Sequence, residues 1–384
     1  MSSALHEAAE LCESLKRWLL EDAYPMWWLH GADRERGGFH ESLQLDGNAT
    51  GAPRRARLHP RQIHAYSQAD DLGWSGPHEE AVKHGLDFFL AHYRRPDRFY
   101  RTLVTADGRA LDDRAVLYDQ AFALLGLAAA YDTLDDDALR DSARDLHEQL
   151  RAQLQNPAGG FEEANPRVLP LGSNSHMHLF ESCLAWMDLD HDARWQATAN
   201  EIVELALLHF IDPVTGLLRE FFDGEWRPIA GDEGRIVEPG HQFEWGWLLL
   251  RWVERTGEIR AREPALRMIQ FGESLGVDAQ RGVAITSLLS DGSVRDPLAR
   301  LWPQTERIKA ACIAAETTRQ PEYWAMVAAA ARGLLKYLDT PRRGLWRDKL
   351  NVDGTFVEEP APASSFYHIV CAIAELEHTL KRVL

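Results

Sequence analysis

Apolar residues recur at i, i+3, i+4 and i+7 through most of this chain, a helical period rather than the two-residue alternation of strands. The pattern predicts about twelve helices, over residues 4–21, 60–71, 76–92, 114–132, 136–155, 174–188, 192–208, 240–257, 262–275, 303–318, 321–337 and 364–382. They are of two kinds. Segments such as LYDQAFALLGLAAAYDTL and HQFEWGWLLLRWVE are apolar nearly all round, whereas neighbours such as DALRDSARDLHEQLRAQL carry a single apolar stripe. A helix apolar on every side is buried and a one-sided helix faces water. Every second helix being of the first kind, the alternation predicts six buried helices inside six amphipathic ones: an all-α fold, the (α/α)6 barrel.

A second marker recurs between the helices: Asp46-Gly47, Asp107-Gly108, Asp223-Gly224, Asp291-Gly292 and Asp353-Gly354, with Gly159-Gly160 in the remaining gap. Asp-Gly between short alternating runs predicts β-hairpins with type I′ turns, in which both central residues take positive φ. Five or six short hairpins are therefore expected between helix pairs. Because the repeat spans the chain and no Pro/Ser/Gly-rich linker interrupts it, residues 1–384 are read as one domain.

Polar, chemistry-bearing residues repeat as well. Arg61, Asp119, His178, His241, Glu306 and His368 each follow a helix start, at gaps of 58, 59, 63, 65 and 62 residues. Pro60, Pro239 and Pro303 lie near first turns, where a missing N–H costs nothing, and Asn174 and Ser364 or Ser365 are expected caps. Such residues converge on one mouth of the barrel.

The net charge of −17 disfavours nucleic acid or an anionic membrane as partner, since such binding rests on clustered Lys and Arg. Locally, Arg54, Arg55, Arg57 and Arg61 crowd one stretch, either as a solvated face or as an anion site. The four cysteines show neither metal spacing nor a disulfide framework, and no leader or membrane span is visible; a cytoplasmic protein is expected.

In GHQFEW and HMHLFE, Glu244 follows His241, and Glu181 follows His178, by three residues, so each carboxylate can orient its imidazole. The positive helix amino terminus is expected to keep these imidazoles neutral and to favour an oxyanion, which suits proton abstraction beside a carbonyl. Arg61 and Arg235 are candidates to hold substrate oxygens. Trp302 and Trp346 are candidates to stack on a sugar ring, and Asp119, Glu181 and Glu306 complete the substrate-binding set. His176 and His178 are two apart and point away from each other on a helix, so no metal is expected. A glycosidase would need two opposed acids, for which Asp119 and Glu306 could be nominated, but this leaves the histidines unexplained. A non-catalytic binding barrel would not need the His–Glu pairs.

RQIHAYS, NSHMHLFE, PGHQFEW, LWPQTE and FYH together resemble the N-acylglucosamine 2-epimerase superfamily of sugar epimerases and isomerases, including its mannose isomerase branch. The resemblance runs from about residue 55 to 375 and itself implies an (α/α)6 barrel working without cofactor or metal. It implies that His241 and His368 are the proton-transfer pair with Glu244 supporting His241, and that His178 and Arg61 serve substrate binding and ring opening. It further matches Arg235 to an arginine before P-G-H, and Trp302 and Glu306 to the W-P-Q-x-E motif. His64 departs from the pattern at a position often aromatic.

The expected chemistry is removal of a C2 proton beside the C1 aldehyde and stabilisation of a cis-enediolate by Arg61, a second histidine and helix dipoles. Proton return to C1 needs one base and gives a ketose; return to C2 from the opposite face needs two. Aldose–ketose isomerisation of the D-mannose/D-fructose type is favoured, because no segment for a second sugar ring is visible. An N-acylglucosamine 2-epimerase is the alternative, and a sugar-phosphate isomerase would show itself through the Arg54–Arg61 cluster. A homodimer is compatible with the sequence.

Overall fold

A computed structural model describes residues 3–384. Twelve long helices form where the apolar period places them: α1 Ser3–Trp18, α2 Leu58–Ser67, α3 His78–Tyr93, α4 Leu117–Leu134, α5 Asp137–Leu154, α6 Ser173–Leu189, α7 Ala193–Leu205, α8 Pro239–Thr256, α9 Arg262–Gly276, α10 Trp302–Thr318, α11 Glu322–Leu338 and α12 Ser365–Val383. The first runs on, through wide π turns at Leu19–Ala23 and Trp27–Gly31, further than the expected end at residue 21. Pro25, which has no N–H to give, lies between those turns.

The even-numbered helices form an inner ring, each touching the next, and α12 touches α2 to close it. Outside, α3 packs on α2, α5 on α4, α7 on α6, α9 on α8 and α11 on α10. The sixth outer place is filled from the other end of the chain, by α1 against α11 and α12. This is the (α/α)6 barrel. Close approach is built in where rings must pass: a Cβ on Gly126 of α4 would lie 2.7 Å from Pro60 of α2.

Short antiparallel pairings tie the loops above the inner helices into a belt. Arg54–Arg55 pairs with Leu103–Val104, Leu171–Gly172 with Phe221–Phe222, and Ile236–Val237 with Ser287–Leu289. Ala299–Arg300 pairs with Lys349–Leu350, Ser42–Leu43 with Ala361–Pro362, and Val116 bridges to Ala164. Each pairing joins the approaches to two neighbouring inner helices, so all of the inner amino termini share one end.

The hairpin turns differ in type from the expected I′. At Gly47, Gly108, Gly292 and Gly354 only the glycine has positive φ (93°, 84°, 82° and 85°). Each glycine N–H donates to the carbonyl three residues earlier, on Gln44, Thr105, Leu289 and Asn351. A turn of ordinary hand followed by one left-handed glycine satisfies the same sequence. The aspartate stays in normal backbone space and accepts local bonds, as Asp46 Oδ1 does from the Asn48 N–H at 2.9 Å. At Asp223-Gly224 the left-handed residue is Trp226 instead.

The expected side-chain caps at Asn174 and Ser364 or Ser365 are absent: none of the six inner helices begins with one, whereas Asp136 and Asp192 cap the outer α5 and α7. The belt is instead pinned from inside the first turn. Gln120 accepts from the Tyr100 N–H and donates to its carbonyl, both at 2.8 Å; Gln242 grips Leu218 and Gln304 grips Ala284 in the same two-point way. His59 and His176 accept from the N–H of Phe39 and Phe161 at 3.1 and 3.0 Å. His176, weighed above as a metal ligand, is a structural clamp.

Gln120→Ala would leave the Tyr100 N–H and carbonyl buried without partners, and should lower the unfolding free energy by roughly 2–4 kcal/mol, read from the urea midpoint. An unchanged midpoint would show that the belt does not depend on the clamp.

Candidate active site

One side chain from each inner helix contributes to a ring just inside the mouth: Arg61 of α2, Phe122 of α4, His178 of α6, Glu244 of α8, Glu306 of α10 and His368 of α12. The Arg61 guanidinium lies 4.2 Å from the Phe122 ring centroid, and the Phe122 and His178 rings are 4.4 Å apart. His178 Nδ1 is 3.9 Å from Glu244 Oε1, donor atoms of Glu244, Glu306 and His368 lie within 4.8 Å of one another, and His368 Nδ1 is 2.8 Å from Glu306 Oε1. The sequence repeat combined two levels. Asp119 and His241 precede Phe122 and Glu244 by three residues, one turn nearer the mouth, whereas the other four lie in the ring.

The three histidines differ electrostatically. His368 is buried, which pulls its pKa down to about 4 with help from Arg61 and Lys309, against the opposing Glu306 carboxylate. Its Nδ1–H donates to Glu306, leaving Nε2 as a free lone pair. Burial likewise lowers His178 to about 4, although Glu181 holds its Nδ1 at 3.1 Å. His241 is the opposite case. Burial would lower it, but Glu220 and Glu238 override burial and raise it to about 10. Its Nδ1–H donates to Glu220 Oε2 at 2.8 Å, and Glu238 Oε2 lies at 3.7 Å. The expectation of a neutral imidazole at every helix end therefore fails at His241, where two carboxylates outweigh the partial charge of the helix terminus.

Trp302 stands between the two histidines, its ring centroid 5.1 Å from that of His241 and 5.9 Å from that of His368. A buried neutral base and a buried imidazolium flanking an indole face suit proton removal from carbon with the developing oxyanion held by cations. Arg61 is aimed at the same space by Tyr118 Oη, which accepts its Nη2–H at 2.9 Å, and by the Ser364 carbonyl.

Several expected partners are reassigned. Glu244 does not orient His241: its carboxyl turns into the ring toward His178, and burial together with Glu306 and Glu181 pushes its pKa well above the usual carboxylate range. Glu220, on the loop passing over the start of α8, takes the His241 proton contact instead; nothing in the helical period marks a loop residue. Arg235 is held at the surface by Asp232 (3.1 Å) and Asp291 (2.5 Å), outside the ring. Trp346 is fully buried and stacks on Trp27 at 4.6 Å, so it is core and not a sugar platform. Asp119 is buried, 3.4 Å from Arg57, with Oδ2 unpartnered. The arginine cluster is likewise committed: Arg54 is buried against Asp33, and Arg55 pairs with Glu41.

Besides Glu220, two further residues not expected from the sequence complete the site. Tyr367 donates its hydroxyl proton to Glu181, and Lys309 donates to Glu306 Oε2 at 2.7 Å. Two donor groups, His178/Glu181/Glu244 and Glu244/Glu306/His368, have the composition to hold a cation. The Lys309 ammonium already brings a positive charge to Glu306 there.

The family described as N-acylglucosamine 2-epimerase (GlcNAc 2-epimerase) matches residues 37–372. A mannose-6-phosphate isomerase of Rhizobium meliloti is 48% identical over 96% of this chain and 97% of its own length. A cellobiose 2-epimerase structure from Spirochaeta thermophila superposes with a TM-score of 0.88 at 21% identity, covering 100% of both chains. A D-mannose isomerase structure gives 0.86 at 20% identity, covering 95% of this chain and 98% of that one. Among the described residues no helix is long and apolar enough to cross a membrane.

The pH dependence follows from the two histidines. With His368 acting as a base and His241 as a charged donor, kcat/KM would rise through the pKa of His368, near 4, stay level through neutrality, and fall only as His241 loses its proton, near 10. Glu220→Gln removes the strongest support for the His241 proton and should bring the alkaline limb down toward neutrality while the acid limb stays in place. A wild-type limb between pH 6 and 7, or no movement in the variant, would refute the assignment.

Proposed function

This chain belongs to the N-acylglucosamine 2-epimerase family and is a sugar isomerase or epimerase, and we propose that it interconverts an aldose and a ketose of the D-mannose/D-fructose type. The observation that carries this reading is the inequality of the two histidines. His368, neutral and with Nε2 free, serves as the base that takes the C2 proton and returns it to C1. His241, its proton held by Glu220 and Glu238, gives that proton up to carbon poorly but stays charged at neutral pH and brings a positive N–H to the enediolate oxygen. One working base gives isomerisation; C2 inversion would require His241 to surrender its proton to carbon. Arg61 and His178 bind the oxygens of the opened sugar, with Trp302 as the face on which its carbon chain lies. The role of Glu306 is to hold the His368 tautomer.

A neutral hexose is favoured because Arg54, Arg55 and Arg57 at the mouth already face Asp33, Glu41 and Asp119. The name of the 48%-identical relative favours a sugar 6-phosphate. Arg57 would then be the residue to receive the anion, being the least tightly paired of the three, at 3.4 Å.

Incubation with D-mannose, D-fructose, N-acetyl-D-mannosamine and the hexose 6-phosphates in deuterium oxide, followed by NMR, separates these readings. The expected result is mannose–fructose interconversion with deuterium at C1 of the ketose. His368→Asn should lower kcat by about 10²–10⁴, and His241→Gln by about 10²–10³. A C2-inverted aldose as main product, without ketose, would overturn the single-base reading; turnover confined to phosphates would replace the neutral substrate.

A further inference from the structure

Lys309 is the only lysine that is fully buried among the described residues, and it lies on α10 one turn below Glu306. Its Nζ is 2.7 Å from Glu306 Oε2 and 3.9 Å from the Trp247 ring centroid on α8. Glu306 thus bridges two groups, accepting from His368 Nδ1 on one oxygen and from Lys309 on the other. The same carboxylate belongs to a donor group that could hold a metal ion, and the adjoining group shares Glu244, whose Oε1 is buried without a hydrogen bond.

We propose that Lys309 is a positioning residue that supplies, as a fixed ammonium, the positive charge a divalent cation would otherwise bring to this carboxylate floor, keeping Glu306 ionised and His368 protonated on Nδ1 with Nε2 bare. The proposal rests on His368 being the base. An ammonium is a compact charge with three donors, suited to a site ringed by carboxylates. The groups facing the Lys309–Glu306–His368 unit are Glu181 and His178 from α6, Glu244 and His241 from α8, Arg61 and His64 from α2, and Tyr367 and Cys371 from α12. Without Lys309, Arg61 and the carboxylate-bound His241 are the cations left, and the deficit is met by a proton. That proton goes to Glu306, which then loosens its hold on His368, or to His368 itself, whose pKa the Lys309 charge helps to hold down. Either way the base is lost at a higher pH than in the wild type.

A cavity lies beside the vacated place, although Lys309 is not itself in its lining. It measures about 800 Å³, opens at the end of the barrel opposite the mouth, and is lined by His64, Glu181, Trp247 and Cys371, the side chains around Lys309.

Lys309→Met and Lys309→Ala should lower kcat by about tenfold to a hundredfold with little change in KM, as loss of a partner that orients a reacting group does. The acid limb of kcat/KM should move up by about one unit or more. The His368 ring resonance, identified by its loss in His368→Asn, should titrate upward in parallel, and methylammonium should restore part of the Lys309→Ala activity. Lys309→Arg, which keeps the charge, should retain the wild-type acid limb. A folded Lys309→Met with wild-type kcat, acid limb and His368 titration would overturn the proposal. If the Met and Ala variants do not fold, an acid limb displaced in Lys309→Arg would overturn it, and one retained there, together with a displaced limb in the polar Lys309→Gln, would support it. Absence of any sugar turnover by the wild type would instead count against the assigned function, with the His368 titration still deciding the role of Lys309.

Discussion

Charges buried on the axis of a barrel must be balanced there, because removing an ion from water costs several kcal/mol unless a partner or a proton compensates. This site places Glu244 within reach of both Glu181 and Glu306, and each of the three meets the requirement differently. Glu181 is drawn down to about 2 despite its burial, through His178, Lys309 and Tyr367. Glu306 is held ionised by Lys309 and His368. Glu244, left without a hydrogen bond on Oε1, is driven toward its protonated form. The same accounting separates the histidines, since His241 meets two carboxylates that have no lysine between them while His368 shares its carboxylate with one.

The fold makes this balance possible by bringing six helix starts to one level. A belt of strand pairings sets the height of each loop, and Gln120, Gln242 and Gln304 lock three of the loops to the first turns of α4, α8 and α10. The helix starts, free of side-chain caps, keep their partial positive charge at the mouth. Glu220 gains its position from the same belt: its carbonyl accepts from the Ser173 N–H, and the neighbouring Phe221–Phe222 pairs with Leu171–Gly172, which puts its carboxylate over the start of α8.

The barrel was legible because burial on all sides and burial on one side leave different apolar periods, and a sixty-residue repeat admits few closed architectures. The ring was legible as far as a helix start could be read. His178, His368, Arg61 and Glu306 fall in it, and Trp302 lies between the histidines. What the period could not convey was level and partner. Asp119 and His241 lie one turn higher, and Glu244, three residues from His241, turns to the ring while a loop carboxylate reaches the imidazole. Lys309 carries no signal in the sequence, because a lysine in a helix is ordinarily a solvated charge; only the three-dimensional convergence of carboxylates from neighbouring helices explains its burial. Arg235 and Trp346 failed for the converse reason, an aspartate pair and an aromatic stack being nearer than any substrate.

The central claim is that one histidine is held as an acid and the other as a base in the resting protein. Neutron diffraction from a crystal exchanged into deuterium oxide at neutral pD observes this directly. Deuterons are expected on both nitrogens of His241, with Nδ1 facing Glu220, and on Nδ1 alone of His368, facing Glu306. Two neutral rings, or a doubly deuterated His368, would contradict it.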